Sequence, residues 1–377
     1  MSRRILITGA RAPVSLDIAR AAVAAGYRVE LADSSRAHAA RMARIGPVLR
    51  LPPPRFAFAA FAQTLAEYCA RDPDCLIIPT CEEVFFVRAA AERHGFIGQV
   101  LTADLSKLRQ LHSKIAFAAL LGELGLTAPR TEALDGEAPI GDGAGAVFKP
   151  EFSRFGSATL IQPDARRLRR LAPTALRRWA RQEFIEGEEF CLWSAARDGV
   201  LSASVVYRPK WRKGRSAAYA FEAVDAPGAV AIARHLASAL DYTGQIGLDM
   251  IRNARGEFIP VECNPRSVSG LHLFDCDPAL ARAMTGDGPA VHVTSGLRFI
   301  APAMWIIGWP ESIMRGRRQE WRADMLSGHD VLGRDGIAPV AGALLDAAAF
   351  AANGLTRLRS PAGQTTDDIE WNGEPIG

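Results

Sequence analysis

Residues 247–266 read GLDMIRNARGEFIPVECNPR. Two apolar runs flank a polar turn, Arg252–Gly256, so the stretch reads as two adjacent strands, Gly244–Ile251 and Glu257–Glu262. Asp249 lies on the first strand, and Glu262 begins a polar series that continues at Asn264. Residues two apart on a strand face the same side. Antiparallel pairing therefore brings Asp249, Glu262 and Asn264 together as three hard oxygen donors. Magnesium prefers such a set, completed by water and phosphate oxygens. Arg266 is two residues further on, points the same way and can reach a transferring phosphoryl group. A carboxylate on an apolar strand is ordinarily half of a structural ion pair. Four polar residues in this register point instead to a phosphate and cation site.

Lysine usage supports the same region. Of 45 basic residues only five are lysines, Lys107, Lys114, Lys149, Lys210 and Lys213. An ammonium is a compact point charge that a planar guanidinium does not replace at a tight phosphate site. Lys149 closes the strand Gly145–Lys149 and is followed by the turn Glu151–Ser157. There Ser153, Arg154, Gly156 and Ser157 can offer donors to phosphates; taken alone, this turn is an ordinary hairpin. Further on, Arg181–Ile185 reads as a strand running through Gly187 into a second strand, Glu189–Ala195. Backbone groups of such a linker can pair with an adenine edge, and a carboxylate beyond the glycine can accept both ribose hydroxyls.

The remainder of the chain frames this region. Strand patterns at Arg4–Thr8, Arg28–Ala32, Val48–Leu51, Cys75–Pro79 and Val100–Thr102 alternate with helix patterns at Leu16–Ala25, Phe56–Cys69 and Glu82–Arg93. Such alternation implies a parallel sheet with helices on both faces. Only Gly9 of a dinucleotide-binding glycine pattern is present in the first turn, and Arg11 takes the close-approach position. The domain is therefore expected to keep that fold without NAD. Two helices follow over Leu105–Leu124. Beyond Ala146 the strands Ala158–Gln162 and Leu201–Tyr207 and the helices Asp164–Trp179 and Pro227–Leu240 complete a mixed, antiparallel region. The last part carries a basic helical segment, Arg315–Arg322, an Ala/Leu-rich helix, Val340–Asn353, and a polar tail. This C-terminal region, Asp367–Asn372 included, has no assignable chemistry and reads as a cap or an oligomer contact.

The 377 residues are 49% hydrophobic and 23% charged with a net charge of +4, values of an ordinary folded chain of two or three domains. The excess charge reflects arginine-rich usage rather than a nucleic-acid footprint. The six cysteines show no zinc spacing and read as reduced and cytoplasmic. The run Phe299–Trp309 is too short to span a bilayer and contains Pro302, so no membrane partner is expected.

Taken together, Lys114, Lys149-Pro150 with its turn, Gln182-Glu-Phe-Ile185, Glu189, Asp249 and Glu262-Cys-Asn-Pro-Arg266 resemble the ATP-grasp superfamily. The flavour is that of carbamoyl-phosphate synthetase and the amino-acid ligases. The resemblance covers roughly residues 105–274. It implies an α/β plus α+β architecture. A Rossmann-like domain (1–104) precedes the ATP-grasp domain (105–295), and a C-terminal extension (296–377) has no assigned role. It implies that Lys114 and Lys149 contact phosphates, Lys149 also reaching adenine, and that residues 153–157 close over the γ-phosphate. Gln182, Glu183, Phe184 and Ile185 then line the adenine, with Glu183 and Ile185 reading it through their backbone, and Glu189 holds the ribose. Asp249, Glu262 and Asn264 bind magnesium, or manganese in its place, and Arg266 stabilises the transferred phosphoryl group. The family's phosphate loop is often richer in glycine than 152–158, so Arg154 is expected to supply contacts that amides supply elsewhere.

The reaction so implied joins a small-molecule carboxylate to an amine or thiol through an acyl phosphate. Bicarbonate-dependent chemistry and a non-catalytic nucleotide-binding module are the alternatives. Candidate substrate contacts are Glu82 and Glu83 at the end of a parallel strand, Arg208 and Lys210 in a cationic run ending at Arg215, and Ser269 and His272 after the metal strand. A lone histidine such as His272 is more often structural. A homodimer is compatible with this reading.

Overall fold

The computed structural model describes residues 3–137, 140–153, 158–212, 218–357 and 361–377. The first sheet contains β1 (Arg4–Thr8), β2 (Arg28–Asp33), β3 (Val48–Arg50) and β4 (Leu76–Ile78), all parallel, in the order β3-β2-β1-β4. Helices α1 (Pro13–Ala24), α2 (His38–Ala43), α3 (Phe58–Arg71) and α4 (Val84–His94) connect and follow these strands. Both sheet faces are covered, so the strands are continuously apolar. Leu6 and Ile77 pack on one side with α3 and α4, while Ile5, Ile7 and Ile78 pack on the other with α1. Gly9 has φ +74°, and a Cβ there would lie 2.5 Å from Thr80 Oγ1, so the first turn admits only glycine.

The strand expected at Val100–Thr102 reduces to a single parallel bridge, Val100 to Ile77. The chain leaves the sheet at once because Asp104 caps α5 (Leu105–His112), its carboxylate accepting from the Lys107 N–H. Ser113 in turn caps α6 (Lys114–Glu123).

Next comes a small antiparallel sheet, β5 (Thr131–Leu134), β6 (Ala146–Pro150), β7 (Leu160–Ile161) and β8 (Trp179–Glu183), in the order β5-β8-β6-β7. The helix expected over Asp164–Trp179 is a correction: only one turn forms, α7 (Ala165–Leu168). Pro173 lacks an N–H for a helix to continue through, and a turn at Thr174–Arg177 redirects the chain into β8.

The large sheet holds β9 (Glu188–Arg197), β10 (Val200–Arg212), β11 (Ala218–Val224), β12 (Gly244–Arg252) and β13 (Phe258–Asn264). Its order is β13-β12-β9-β10-β11, all antiparallel. Asp198 and Gly199, both at positive φ, make the tight β9–β10 turn. Helix α8 (Pro227–Ala239) packs Ala233 and Leu236 with Phe190, Leu248 and Met250. After the 3-10 turn Ser269–Phe274 and α9 (Pro278–Thr285), β14 (Val291–Val293) runs parallel to β10. Strand β15 (Leu297–Phe299) then pairs with β11, and β16 (His329–Asp330) with β15.

The C-terminal residues, expected as a cap or an oligomer contact, pack on the other parts of the chain. The basic segment expected at Arg315–Arg322 becomes the helix Arg318–Ser327, and the Ala/Leu-rich helix runs over Ile337–Arg357. By length and composition Ile337–Gly354 is apolar enough to cross a bilayer, and 22% of it is buried. One face is committed to protein: Asp346 accepts from the N–H groups of His38 and Ala39 at the start of α2. The tail returns to the first domain. Arg11 joins Asp33 to Asp368 at 2.8 and 2.6 Å, and fully buried Trp371 stacks on Phe85 with ring centroids 4.6 Å apart.

Candidate active site

The β12–β13 ladder sets Asp249 directly opposite Glu262 and Gly247 opposite Asn264. The two carboxylates face each other, and Asn264 lies two residues along on the same side. On the other neighbour of β12, Cys191 of β9 pairs with Asp249 and donates its thiol to Oδ1 at 3.2 Å. Burial and the adjacent Glu262 carboxylate push Asp249 up to about 6. Burial also pushes Glu262 up, but the ammonium of Lys114, then Lys149, His112 and Arg266, outweigh it and hold Glu262 below the usual carboxylate range.

Lys114 opens α6 and is almost fully buried. Its Nζ lies 3.6 Å from Glu262 Oε1 and donates to the Ser153 carbonyl at 3.1 Å. Lys149 comes from the small sheet and donates to Gln182 Oε1 at 3.1 Å. The Gln182 amide reaches across to the Val261 carbonyl of β13 at 3.3 Å. One glutamine thus ties the small sheet to the β12–β13 edge of the large one. Burial lowers Lys149; Glu262 opposes this, and Lys114 adds to it. The two ammonium groups and the two carboxylates therefore lie within one electrostatic field between the sheets.

Arg266 follows β13. Its Nε donates to Glu82 Oε1 at 2.8 Å, Nη1 to the Ser267 carbonyl at 3.0 Å and Nη2 to Asn264 Oδ1 at 3.3 Å. Glu82, expected as a substrate contact, is buried and holds this guanidinium. In the linker, the N–H groups of Glu183 and Phe184 are taken by the carbonyls of Arg130 and Gly145. The Ile185 N–H has no partner among the described residues. Gly187 lets the linker pass: a Cβ there would lie 2.2 Å from the Arg252 carbonyl oxygen. Glu189, at the start of β9, is held by Arg212 at 2.9 Å.

Several expected residues stand elsewhere. Glu83 spends one carboxylate oxygen on Thr8 and on the N–H groups of Thr80 and Cys81, fixing the turn after β4. His272 is buried, 2.6 Å from Asp17 of α1, and stacked on Phe221, so it anchors the segment after β13 to α1. Lys210 pairs with Asp324 and Glu222, and Arg208 lies over the Phe190 ring. Ser269 opens the 3-10 turn. Arg154, Gly156, Ser157 and Arg215 lie outside the described residues. Sequence reading missed the part Glu151 plays. It accepts from Ser113 Oγ at 2.6 Å and from Arg178 through both carboxylate oxygens, and its carbonyl takes the Lys114 N–H. Its partners lie 38 and 27 residues away, so no local pattern marks it.

The donor set suits a hard divalent cation. Among the described residues no three His, Cys, Asp or Glu side chains form a metal cluster. The set is two carboxylates and an amide, which leaves positions for water and phosphate oxygens. Burial is the larger cause of the upward push on Asp249, and the repulsion from Glu262 that adds to it is what a cation between two carboxylates relieves.

Solved structures match this arrangement of sheets. N5-carboxyaminoimidazole synthetase from Staphylococcus aureus complexed with ADP aligns with TM-score 0.62 at 11% identity, over 83% of this chain and 87% of that one. The chain has the ATP-grasp fold. L-amino acid ligase from Bacillus licheniformis aligns with TM-score 0.57 at 14% identity over 76% of each chain. Phosphoribosylamine–glycine ligase from Thermotoga maritima gives 0.58 at 15% identity over 78% of each. No family model matches the chain, and no curated protein matches it in sequence. At these identities the ATP-grasp likeness is one of fold.

Proposed function

We propose that this chain is an ATP-dependent ligase that activates a small-molecule carboxylate as its acyl phosphate and passes it to an amine, releasing ADP and phosphate. The observation that carries this reading is the Asp249–Glu262 pair facing across β12 and β13, with the Lys114 ammonium 3.6 Å from Glu262. Two acids and two buried lysines between two antiparallel sheets suit a cation-bound polyphosphate and little else. In this reading Ile185 offers adenine its N–H, which has no partner among the described residues, and Glu189 takes the ribose. Lys149 and Lys114 neutralise the phosphates. Asp249, Glu262 and Asn264 hold magnesium, which supplies charge neutralisation on the transferring phosphoryl group when bound. Arg266, fixed by Glu82, presents its guanidinium to that group. No protein nucleophile takes part. The boundaries 1–104, 105–295 and 296–377 belong to the same reading, as does a cytoplasmic setting, which the six free thiols favour.

The test is phosphate release from Mg-ATP across amino acids, small carboxylates and bicarbonate, with hydroxylamine as the trapping amine. One acid is expected to give both phosphate and hydroxamate, and Glu262→Gln neither. Turnover that requires bicarbonate moves the reading to a carbamoyl-phosphate or carboxylating reaction. Absence of ATP binding by the wild-type protein overturns it.

A further inference from the structure

Outside the site, the C-terminal region presents an unusual face. Trp305, Ile306, Ile337 and Leu344 line an open cleft of about 540 Å³ between the segment from Ala301 and the helix Ile337–Arg357. Ile306 is 65% exposed and Ile337 79%. Trp309 continues the face, since it and Trp305 both pack on Trp321, and half-exposed Leu345 adjoins Leu344. These six residues are 38–79% exposed and leave on the order of 600 Å² in water, at the upper end of the ~300–600 Å² of a typical monomer's largest patch. It approaches the roughly 800 Å² that each partner brings to a standard interface.

We propose that this face is the interface of a homodimer, covered by the same face of a second copy. Three features select that occupant. First, the face carries a cleft walled by Trp305, Ile306, Ile337 and Leu344, with half-exposed Leu345 beside it. A two-fold axis lets each copy's Leu345 enter the other's cleft. Second, Asp346 is the sole charged residue over Ile337–Gly354, and it turns inward to α2. The outward side of the helix therefore brings no unpaired charge into a contact. Third, the surroundings carry both signs in paired form: Glu311 with Arg315 at 3.1 Å, Arg317 with Glu320 at 2.6 Å, and Arg20 with Asp335 at 2.6 Å. A mixed rim is complementary to itself and suits a protein interface. An anionic bilayer would meet carboxylates as well as guanidinium groups there.

Sedimentation equilibrium of the full chain at micromolar concentration tests the proposal. The wild-type protein is expected at twice its 40.6 kDa chain mass. Leu344→Glu and Ile306→Glu, on opposite sides of the cleft, are each expected to weaken self-association by at least about 100-fold and run at the chain mass. Both positions are exposed, and far-UV circular dichroism confirms that the variants fold. Leu176→Glu, at a 96% exposed apolar residue elsewhere, is expected to remain dimeric. Three results overturn the proposal: a monomeric wild-type protein, dimers that survive both cleft substitutions, or a wild-type monomer that floats with phosphatidylserine vesicles.

Discussion

Arg266 shares its guanidinium among Glu82, Asn264 and a backbone carbonyl, so its direction is set before any substrate arrives. Glu82→Gln keeps the shape and removes the charge that fixes Nε. It is expected to lower kcat about 10- to 100-fold while leaving the KM for ATP nearly unchanged, as steady-state kinetics will show. A comparable fall in ATP affinity would mean that Glu82 acts on nucleotide binding instead. His272 illustrates the opposite outcome. Its ring is 2.6 Å from Asp17 and far from any need for a base, so His272→Asn is expected to cost about 1–3 kcal/mol in chemical denaturation. The shape of the pH–rate profile should not change, and a lost acidic limb would restore a role as base.

Among the elements, the C-terminal tail is the one whose contribution can be titrated. Burial pushes the Asp368 carboxyl up, but Arg11 and Ser34 outweigh it and hold it below the usual aspartate value. A folded pKa below the unfolded one contributes stability above the unfolded value, and that contribution is lost as pH falls through the folded value. The stability difference between wild type and Asp368→Asn is therefore expected to be full at neutral pH and to vanish in steps below about pH 4. Denaturation midpoints at successive pH values measure it, and a pH-independent difference would remove the Arg11 pairing as its cause. Trp371, sandwiched near Phe85 and Phe152, anchors the same tail. Trp371→Ala is expected to cost about 3–5 kcal/mol, typical of emptying an aromatic core position.

At the scale of the whole molecule, the site lies where two sheets from separate stretches of chain approach, joined by Gln182 and by the charges of Lys114 and Lys149. A ligand that bridges them stabilises the folded state by mass action. Mg-ATP at about 100 times its Kd is expected to add about 2.7 kcal/mol to the unfolding free energy. Lys149→Ala should lose most of that gain at the same nucleotide concentration, as thermal or urea unfolding will show. An undiminished gain in the variant would place the nucleotide elsewhere.

Strand periodicity and turn chemistry are local, and they sufficed for the parallel sheet, for the β12–β13 pair and for the face shared by Glu262 and Asn264. The order of lysine, linker and acidic strand was likewise legible, because each motif lies within a few residues of chain. Local pattern failed where a distant partner decides. It read a helix through Pro173, and it could not show that Glu82 holds Arg266 or that His272 meets Asp17, partners 184 and 255 residues away. It also gave no role to Glu151 or Trp371. Buried polar and aromatic side chains are settled by what surrounds them in space. Sequence alone therefore supplied the candidate site's chemical inventory, and tertiary structure decided which of its members are drawn together between the sheets and which hold the others in place.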